Sequence, residues 1–313
     1  MIRHKKIIIF GLVLLIIAGC SQRRLQSEKR FLLGTVVEVI SPYPEAAEIA
    51  FSEIERIEKI FSANIKDSAI SHLNRTGFLN TNFEVTSLIE KSGIFYGLTQ
   101  GYFDITVAPL TKIWKEALIE NKLPTKRKIR KKLALIGFKN IHIDKKNNSI
   151  KFKRKGMKID LGGIAKGYAI DVAVKELKRK GIDSAIINAG GDIYCLGSKF
   201  GNPWKLGLQH PRKKDKILTT LELKDLAIAT SGDYEQYMEI GGKRYSHIIN
   251  PKTGYPVEND IVSVTVVAKD AVTADAVATC IFLLGKEKGM KVFENYEGVE
   301  RIIIITKSDV QDN

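Results

Sequence analysis

The sequence predicts an α+β protein, a mixed α/β arrangement with mixed and antiparallel strands and interspersed helices. Three observations point there. Apolar residues recur at helical spacing in several long stretches. Short β-branched runs bounded by Gly, Asn and Pro recur between them. The two patterns do not alternate, so there is no regular βα repeat. With 313 residues, 44% of them hydrophobic, the chain can bury a sizeable core.

In chain order, residues 1-MIRHKKIIIFGLVLLIIAGC-20 combine a basic start (Arg3, Lys5, Lys6), an apolar run from Ile7 to Ala18 and a small residue before Cys20. The apolar run is short for a membrane-spanning helix, which needs roughly 20 residues, and suits a signal peptide better. The closing IAGC resembles the lipobox of bacterial lipoproteins. That implies a signal peptide over 1–19 and a lipid on Cys20; an uncleaved single-span anchor is the alternative. Both place the body outside the cytoplasm, and the first makes it lipid-anchored to a bacterial membrane. Residues 20–29 read as a polar tether and 30–308 as the folded domain.

That domain opens with a strand, 31-FLLGTVVEVIS-41, then a helix over about 45–62 in which Ile49, Ile54, Ile57 and Phe61 share a face. Residues 63–77 read as a surface loop with a short helical turn. A second helix spans about 84–98 and stops near Gly97 or Gly101. In 101-GYFDITVAPLTKIW-114 the apolar residues do not alternate cleanly, and Pro109 marks a boundary. A basic helix follows, then two short strands around an Asn-rich turn in 141-IHIDKKNNSIKFKRKGMKID-160. The next helix runs from the glycines of 160-DLGGIAKGYAID-171 to about Lys180. A strand broken by two glycines (184–197) comes next, with further strands near 204–211, 220–230, 236–249 and 261–269. Helices near 273–285 and 286–295 and a strand over 302–306 complete the order.

The formal charge is +15, concentrated in 122-KLPTKRKIRKK-132 and 151-KFKRKGMK-158. Such runs can hold a polyphosphate, steer toward anionic lipid or form a solvated face, and the last is the plainest account. They lack the interleaved aromatic platform that single-stranded nucleic acid favours, so no nucleic-acid partner is expected. Apart from Cys20 there are only Cys195 and Cys280, each among apolar residues. There is no CxxC and no zinc-type cluster. Buried free thiols are the default and a long-range disulfide the alternative.

Three constellations carry chemistry. Gly162, Gly163 and Gly167 fit neither GxGxxG nor GxxxxGK[ST], and close packing at a strand-to-helix corner would explain them. Their context favours a phosphate-bearing ligand: Asp160 ends the preceding strand, Ile164 to Lys166 offer helix-start N–H groups, and Lys166 adds positive charge. Second, Asp275 and Thr279 in 270-DAVTADAVAT-279 lie four apart on one helical face. They are oxygen donors of the kind magnesium shares with phosphate; a surface charge and a core filler are the plainer account. Third, His247 ends a strand before a Pro/Gly-rich turn, where it could act as base or acid near neutral pH or be structural. Tyr234, Tyr237 and Tyr245 could stack on a flat ring or fill the core.

Together, 101-GYFDITVAPL-110, 160-DLGGIAKGYAID-171, 187-INAGGDI-193, 230-TSGDYEQY-237, 244-RYSHIINPKTGYP-256 and 274-ADAVAT-279 resemble, in order, the FAD:protein FMN transferases of the ApbE type. The weaker 31-FLLGT-35 and 61-FSANIKDSAISHLN-74 also fit, and the resemblance spans about 30–305. It implies two lobes around an FAD cleft. It also implies a magnesium-dependent reaction in which FMN passes from FAD to a threonine, sometimes serine, hydroxyl of an extracytoplasmic target, forming a phosphoester and releasing AMP. The implied partner is a flavin-accepting subunit of a membrane redox complex. Carried over position by position, the resemblance makes Asp275, Thr279 and the Ala165 carbonyl metal ligands and His247 the base. Asp104, Thr106, Asp160, Gly162, Gly163 and Lys166 become FAD-binding positions, as do Asn188, Gly190, Gly191 and Asp192, and Ser231, Gly232, Asp233 and Tyr234. One departure is Gln209, where members often carry Arg before the His-Pro at His210, and this weakens a phosphate clamp there. An FAD pyrophosphatase giving FMN and AMP is the nearest alternative. A passive flavin-binding lipoprotein is the other, and the paired Asp275 and Thr279 speak against it.

Overall fold

Tight hairpins build most of the main sheet. The computed structural model describes residues 24–213, 216–233 and 237–311; the expected signal peptide, Cys20 and Tyr234 lie outside them. Strands β1 (Gln26–Leu32) and β2 (Thr35–Ser41) pair antiparallel. Between them Leu33 (φ 56°) and Gly34 (φ 73°) are both left-handed, the backbone that a two-residue hairpin needs. The strand expected over 31–41 is therefore two strands, and residues 26–29 of the expected tether belong to β1.

Helix α1 (Ala46–Phe61) buries Ile54, Ile57 and Phe61. Residues 63–77, expected as a surface loop with a short helical turn, contain a two-turn helix, α2 (Ala69–Thr76). The Ser68 hydroxyl caps it by accepting the Ser71 N–H, and Gly77 closes it at φ 76°. Strand β3 (Phe78–Asn80) and helix α3 (Phe83–Leu98) follow. After a short 3-10 helix, Ile105–Val107, Pro109 sits in the first turn of α4 (Ala108–Glu120). Its missing N–H costs nothing there, so the proline starts a helix. The basic helix is α5 (Lys126–Leu133). Strands β4 (Ile141–Asp144) and β5 (Ser149–Phe152) join β3 in a small sheet of order β3-β5-β4.

Helix α6 (Ala165–Arg179) leads to β6 (Ser184–Ala189) and β7 (Asp192–Gly197). Strands β8 (Trp204–Gln209) and β9 (Ile217–Leu223) form a ribbon before β10 (Leu226–Gly232). A second ribbon is β11 (Tyr237–Ile240) with β12 (Lys243–Ser246). Then come β13 (Ile261–Ala268), α7 (Ala271–Leu284), α8 (Lys286–Phe293), β14 (Val299–Thr306) and α9 (Lys307–Gln311). The main sheet has the order β1-β2-β6-β7-β10-β13-β14. Every named strand pairing is antiparallel, so among the described residues the expected admixture of other pairings is not seen.

Alternation along the strands sends side chains to two faces. Val37, Val39, Ala185, Ile187, Ala227, Ala229, Val264 and Val266 join α1, α6 and α7 in the main core. Their neighbours Ile186, Cys195, Ile228 and Val267 face the opposite way and are covered by Trp204, Leu221 and Leu223 of the β8–β9 ribbon. Cys195 and Cys280 thus occupy different cores, and both are buried free thiols. A smaller lobe has its own core, in which Leu110, Ile113 and Trp114 of α4 and Ile129 of α5 meet Met238, Ile240 and Ile249. Among the described residues no helix is long and apolar enough to cross a membrane.

Candidate active site

Gly167 sets the geometry. A Cβ added there would stand 2.3 Å from the Ala271 carbonyl oxygen, so its absence lets α6 lie against the first turn of α7. One turn on, the Asp171 carboxylate accepts the Ala271 N–H at 2.7 Å and the Val272 N–H at 2.9 Å, capping α7 from the side. This crossing brings Asp275 onto the Gly167 N–H, which it accepts at 3.1 Å. Asp275 is 5% exposed. Burial, and then the nearby Asp192, push its carboxyl up to about 7, with Lys166 opposing. Thr279 follows on the same face, its hydroxyl 3.3 Å from that of Ser231. Gly163 faces it closely, since an added Cβ would meet the Thr279 Cγ2 at 3.3 Å. Asp275 and Thr279 both open onto a cleft of about 1250 Å³.

The glycine segment forms one wall of that cleft through Asp160, Gly162, Gly163, Ala165 and Lys166. Its N–H groups are not all available as the sequence suggested. Those of Ile164 and Ala165 both donate to the Leu161 carbonyl, at 3.0 and 2.8 Å, because the chain makes a full turn before α6 begins. The Gly162 N–H donates to Asp160 Oδ1 at 2.9 Å. Lys166 Nζ forms an ion pair with Asp192 Oδ2. Asp192 is almost wholly buried, holding the lysine head rather than lining the cleft.

The remaining expected positions divide. Gly190 (φ 62°) and Gly191 (φ 100°) make the β6–β7 turn, and Asn188 Oδ1 accepts the Gly191 N–H at 2.9 Å; all three line the cleft. Asp104 lines it too, but its oxygens are engaged. Oδ1 accepts both the N–H and the hydroxyl of Thr106, and Oδ2 accepts the Phe138 N–H at 3.1 Å. The Thr106 hydroxyl in turn accepts the Gly137 N–H at 2.8 Å. Thr106 is fully buried, so this pair is a clamp between two segments, and burial raises the Asp104 carboxyl. Ser231 lines the cleft, whereas Gly232 and Asp233 do not; Asp233 pairs with Arg212 at 2.7 Å. His247 is half-buried just past the end of β12 and lines the cleft from the small-lobe side. Gln209 lines it as well, while His210 Nδ1 accepts the N–H groups of Arg212 and Lys213, both at 3.1 Å, and organises that turn.

Sequence reasoning gave no role to several lining residues, among them Phe31, Thr35, Glu58, Asn64, Tyr102 and Lys115. Phe31 is 74% exposed although it lies near the end of strand β1, and an aromatic left out of a core beside a Gly turn is the signal that could have found it. Glu58 and Lys115 belong to ordinary amphipathic helices and carry no such signal.

Fold and site define a class first: an α+β protein whose antiparallel sheet and small lobe enclose a cleft larger than the roughly 300–1,000 Å³ of ordinary small-molecule pockets, with a buried carboxylate at its floor. The chain belongs to the ApbE family, whose model matches residues 33–303. Similar sequences include the FAD:protein FMN transferase of Klebsiella pneumoniae (strain 342), 29% identical over 296 residues, covering 93% of this chain and 92% of the relative. That of Vibrio cholerae serotype O1 is 33% identical over 264 residues, covering 82% of this chain and 78% of the relative. Among solved structures, the ApbE protein of Thermotoga maritima is similar with a TM-score of 0.83 at 35% identity, over 91% of this chain and 95% of that one.

Proposed function

We propose that the chain transfers FMN from FAD to a threonine or serine hydroxyl of an extracytoplasmic target protein, releasing AMP. The observation that carries this is the opening of Asp275, Thr279, the start of α6 and His247 onto one cleft. Membership of a family whose relatives bear the name FAD:protein FMN transferase supports it. A lipid on Cys20 would hold the enzyme at the membrane beside a flavin-accepting redox subunit.

The donor chemistry bears on the metal. Among the described residues no three His, Cys, Asp or Glu side chains gather to hold an ion, so an all-protein cage is not what this site offers. A single buried carboxylate with a hydroxyl and a backbone carbonyl fits magnesium, which keeps part of its shell for waters and substrate phosphates. The raised carboxyl of Asp275 agrees, because a neighbouring cation would offset what burial and Asp192 cost it. Asp275, Thr279 and the Ala165 carbonyl would hold the ion, and when bound it supplies charge to offset the negative oxygens of a pyrophosphate under attack.

The chain's own groups do the rest. Lys166, held by Asp192, keeps a positive charge at the start of α6. His247 takes the proton of the acceptor hydroxyl as its oxygen attacks the FMN phosphorus. The new phosphorus–oxygen bond forms as the bond to the AMP phosphate breaks, and AMP departs with the electron pair. Positioning and charge suffice, without a covalent enzyme intermediate.

Incubation with FAD, magnesium and a threonine-bearing acceptor protein tests the proposal. Covalent flavin fluorescence on the acceptor is expected, and free FMN alone would make the protein a pyrophosphatase. Asp275→Ala should abolish transfer with the fold intact; undiminished magnesium-dependent turnover would remove Asp275 as a ligand. His247→Ala should lower transfer by about 10²–10⁴-fold, the usual worth of a positioned base, with FAD still bound. Near-normal transfer in that variant would exclude it as the base.

A further inference from the structure

The second basic run reaches the end of the first one's helix. Arg154 Nη1 donates to the Ala134 carbonyl at the end of α5, at 2.8 Å, and Lys153 Nζ donates to the Lys139 carbonyl at 3.3 Å. Helix α5 buries only Ile129 and leaves Lys126, Arg127, Arg130 and Lys131 exposed. Immediately before it, the end of α4 and its loop expose three aliphatic side chains, Leu118 at 41%, Ile119 at 85% and Leu123 at 48%. Asn121, left-handed at φ 47°, closes α4 there. Its Oδ1 accepts the Gly241 N–H at 2.8 Å, fastening the β11–β12 turn to the same corner. Between Ile119 and Leu133 the only acidic residue is Glu120.

We infer that this corner is a seat for an anionic lipid surface. Single exposed aliphatics need no explanation. Three within six residues, protruding from a helix end and bordered by a helix of outward lysines and arginines, form an interfacial pattern: apolar tips enter the headgroup boundary while cations meet lipid phosphates. An acidic protein would satisfy the charges but leave Ile119 and Leu123 without purpose. The seat also places the cleft. Helix α4 lines the cleft at Thr111 and Lys115 and reaches the seat at Ile119, which is roughly 12 Å from Thr111 along the helix axis. A seated molecule therefore works close to the bilayer, within reach of acceptor segments that protrude little from it. The seat stands independently of the flavin chemistry, since lipid contact is measured without FAD.

The test uses the full chain with Cys20→Ser and Ile119→Cys, labelled at position 119 with an environment-sensitive fluorophore. Cys195 and Cys280 are buried and their thiols are pushed up, Cys195 to about 12, so they label poorly. Phosphatidylglycerol vesicles should shift the label's emission to the blue and raise it several-fold. Phosphatidylcholine vesicles should not, and salt should reverse the effect. The response should vanish when Lys126, Arg127 and Lys131 are all replaced by Glu. Emission unchanged by phosphatidylglycerol overturns the inference, and so does an equal response to both lipids or one that survives the charge reversal. A label indifferent to lipid but responsive to polyglutamate would mark a protein-docking surface instead.

Discussion

The glycines of 160-DLGGIAKGYAID-171 look equivalent on paper and are not. An added Cβ at Gly167 would stand 2.3 Å from the Ala271 carbonyl oxygen, whereas at Gly162 it would meet only Asp160 Oδ1, at 3.2 Å. Neither glycine has a positive φ, so backbone strain does not separate them. Gly167→Ala should cost about 1–3 kcal/mol, the usual range for overpacking. It should also shift Asp275 away from the residue 167 N–H and weaken any cation dependence of activity. Gly162→Ala should denature near the wild-type midpoint. Equal midpoints for the two variants would mean that α6 and α7 slide apart without cost. The need for room was legible in the sequence. Which glycine provides it, and against which carbonyl, depends on a helix more than a hundred residues downstream, and no local pattern carries that.

Among the elements, α7 bears the two expected side-chain metal ligands, Asp275 and Thr279, and its first turn is tied down twice. Asp270 accepts the Thr273 N–H at 2.9 Å, and Asp171 reaches over from α6 to the two preceding N–H groups. Burial raises the Asp171 carboxyl to about 7, with Asp270 adding repulsion and Lys91 opposing it. An unfolded Asp titrates near 3.9, so the folded state holds this proton longer. Its contribution is present below about pH 4 and is lost as pH rises through about 7. In Asp171→Asn that slope is gone, while one of two backbone N–H acceptors is replaced by a donor. The wild type's stability relative to the variant should therefore fall between pH 4 and pH 8, measured as denaturation midpoints. A pH-independent difference would show that Asp171 titrates normally. Elements with strong periodicity, such as α1, α6 and β13, were readable in advance. The β1–β2 hairpin was not, because Leu33 takes a left-handed conformation that leucine rarely adopts. Helix α2 reads from the sequence only as a short helical turn, because it is short and polar and starts on a Ser68 cap.

For the whole molecule, the question is whether the two lobes hold the cleft as a single body. One wall carries Asp275, Thr279 and the start of α6; the other carries Thr111, Lys115 and His247. The small-lobe core is a handful of side chains, too little apolar burial to stand alone. Its helix α4 enters through the Asp104–Thr106 clamp onto Gly137 and Phe138. Independent opening would expose that core, so the lobes should unfold together. The chain has two tryptophans, one in each region. Trp114 Nε1 donates to the Gly254 carbonyl at 2.8 Å inside the small lobe, and Trp204 lies under the main sheet. In Trp204→Phe, fluorescence reports the small lobe while far-ultraviolet circular dichroism reports the whole fold. The two transitions should coincide, and FAD with magnesium should raise both together, because a ligand spanning both walls binds only when the lobes are in register. A Trp114 transition at lower denaturant would instead make the small lobe a separately opening wall, whose motion would carry His247 relative to Asp275.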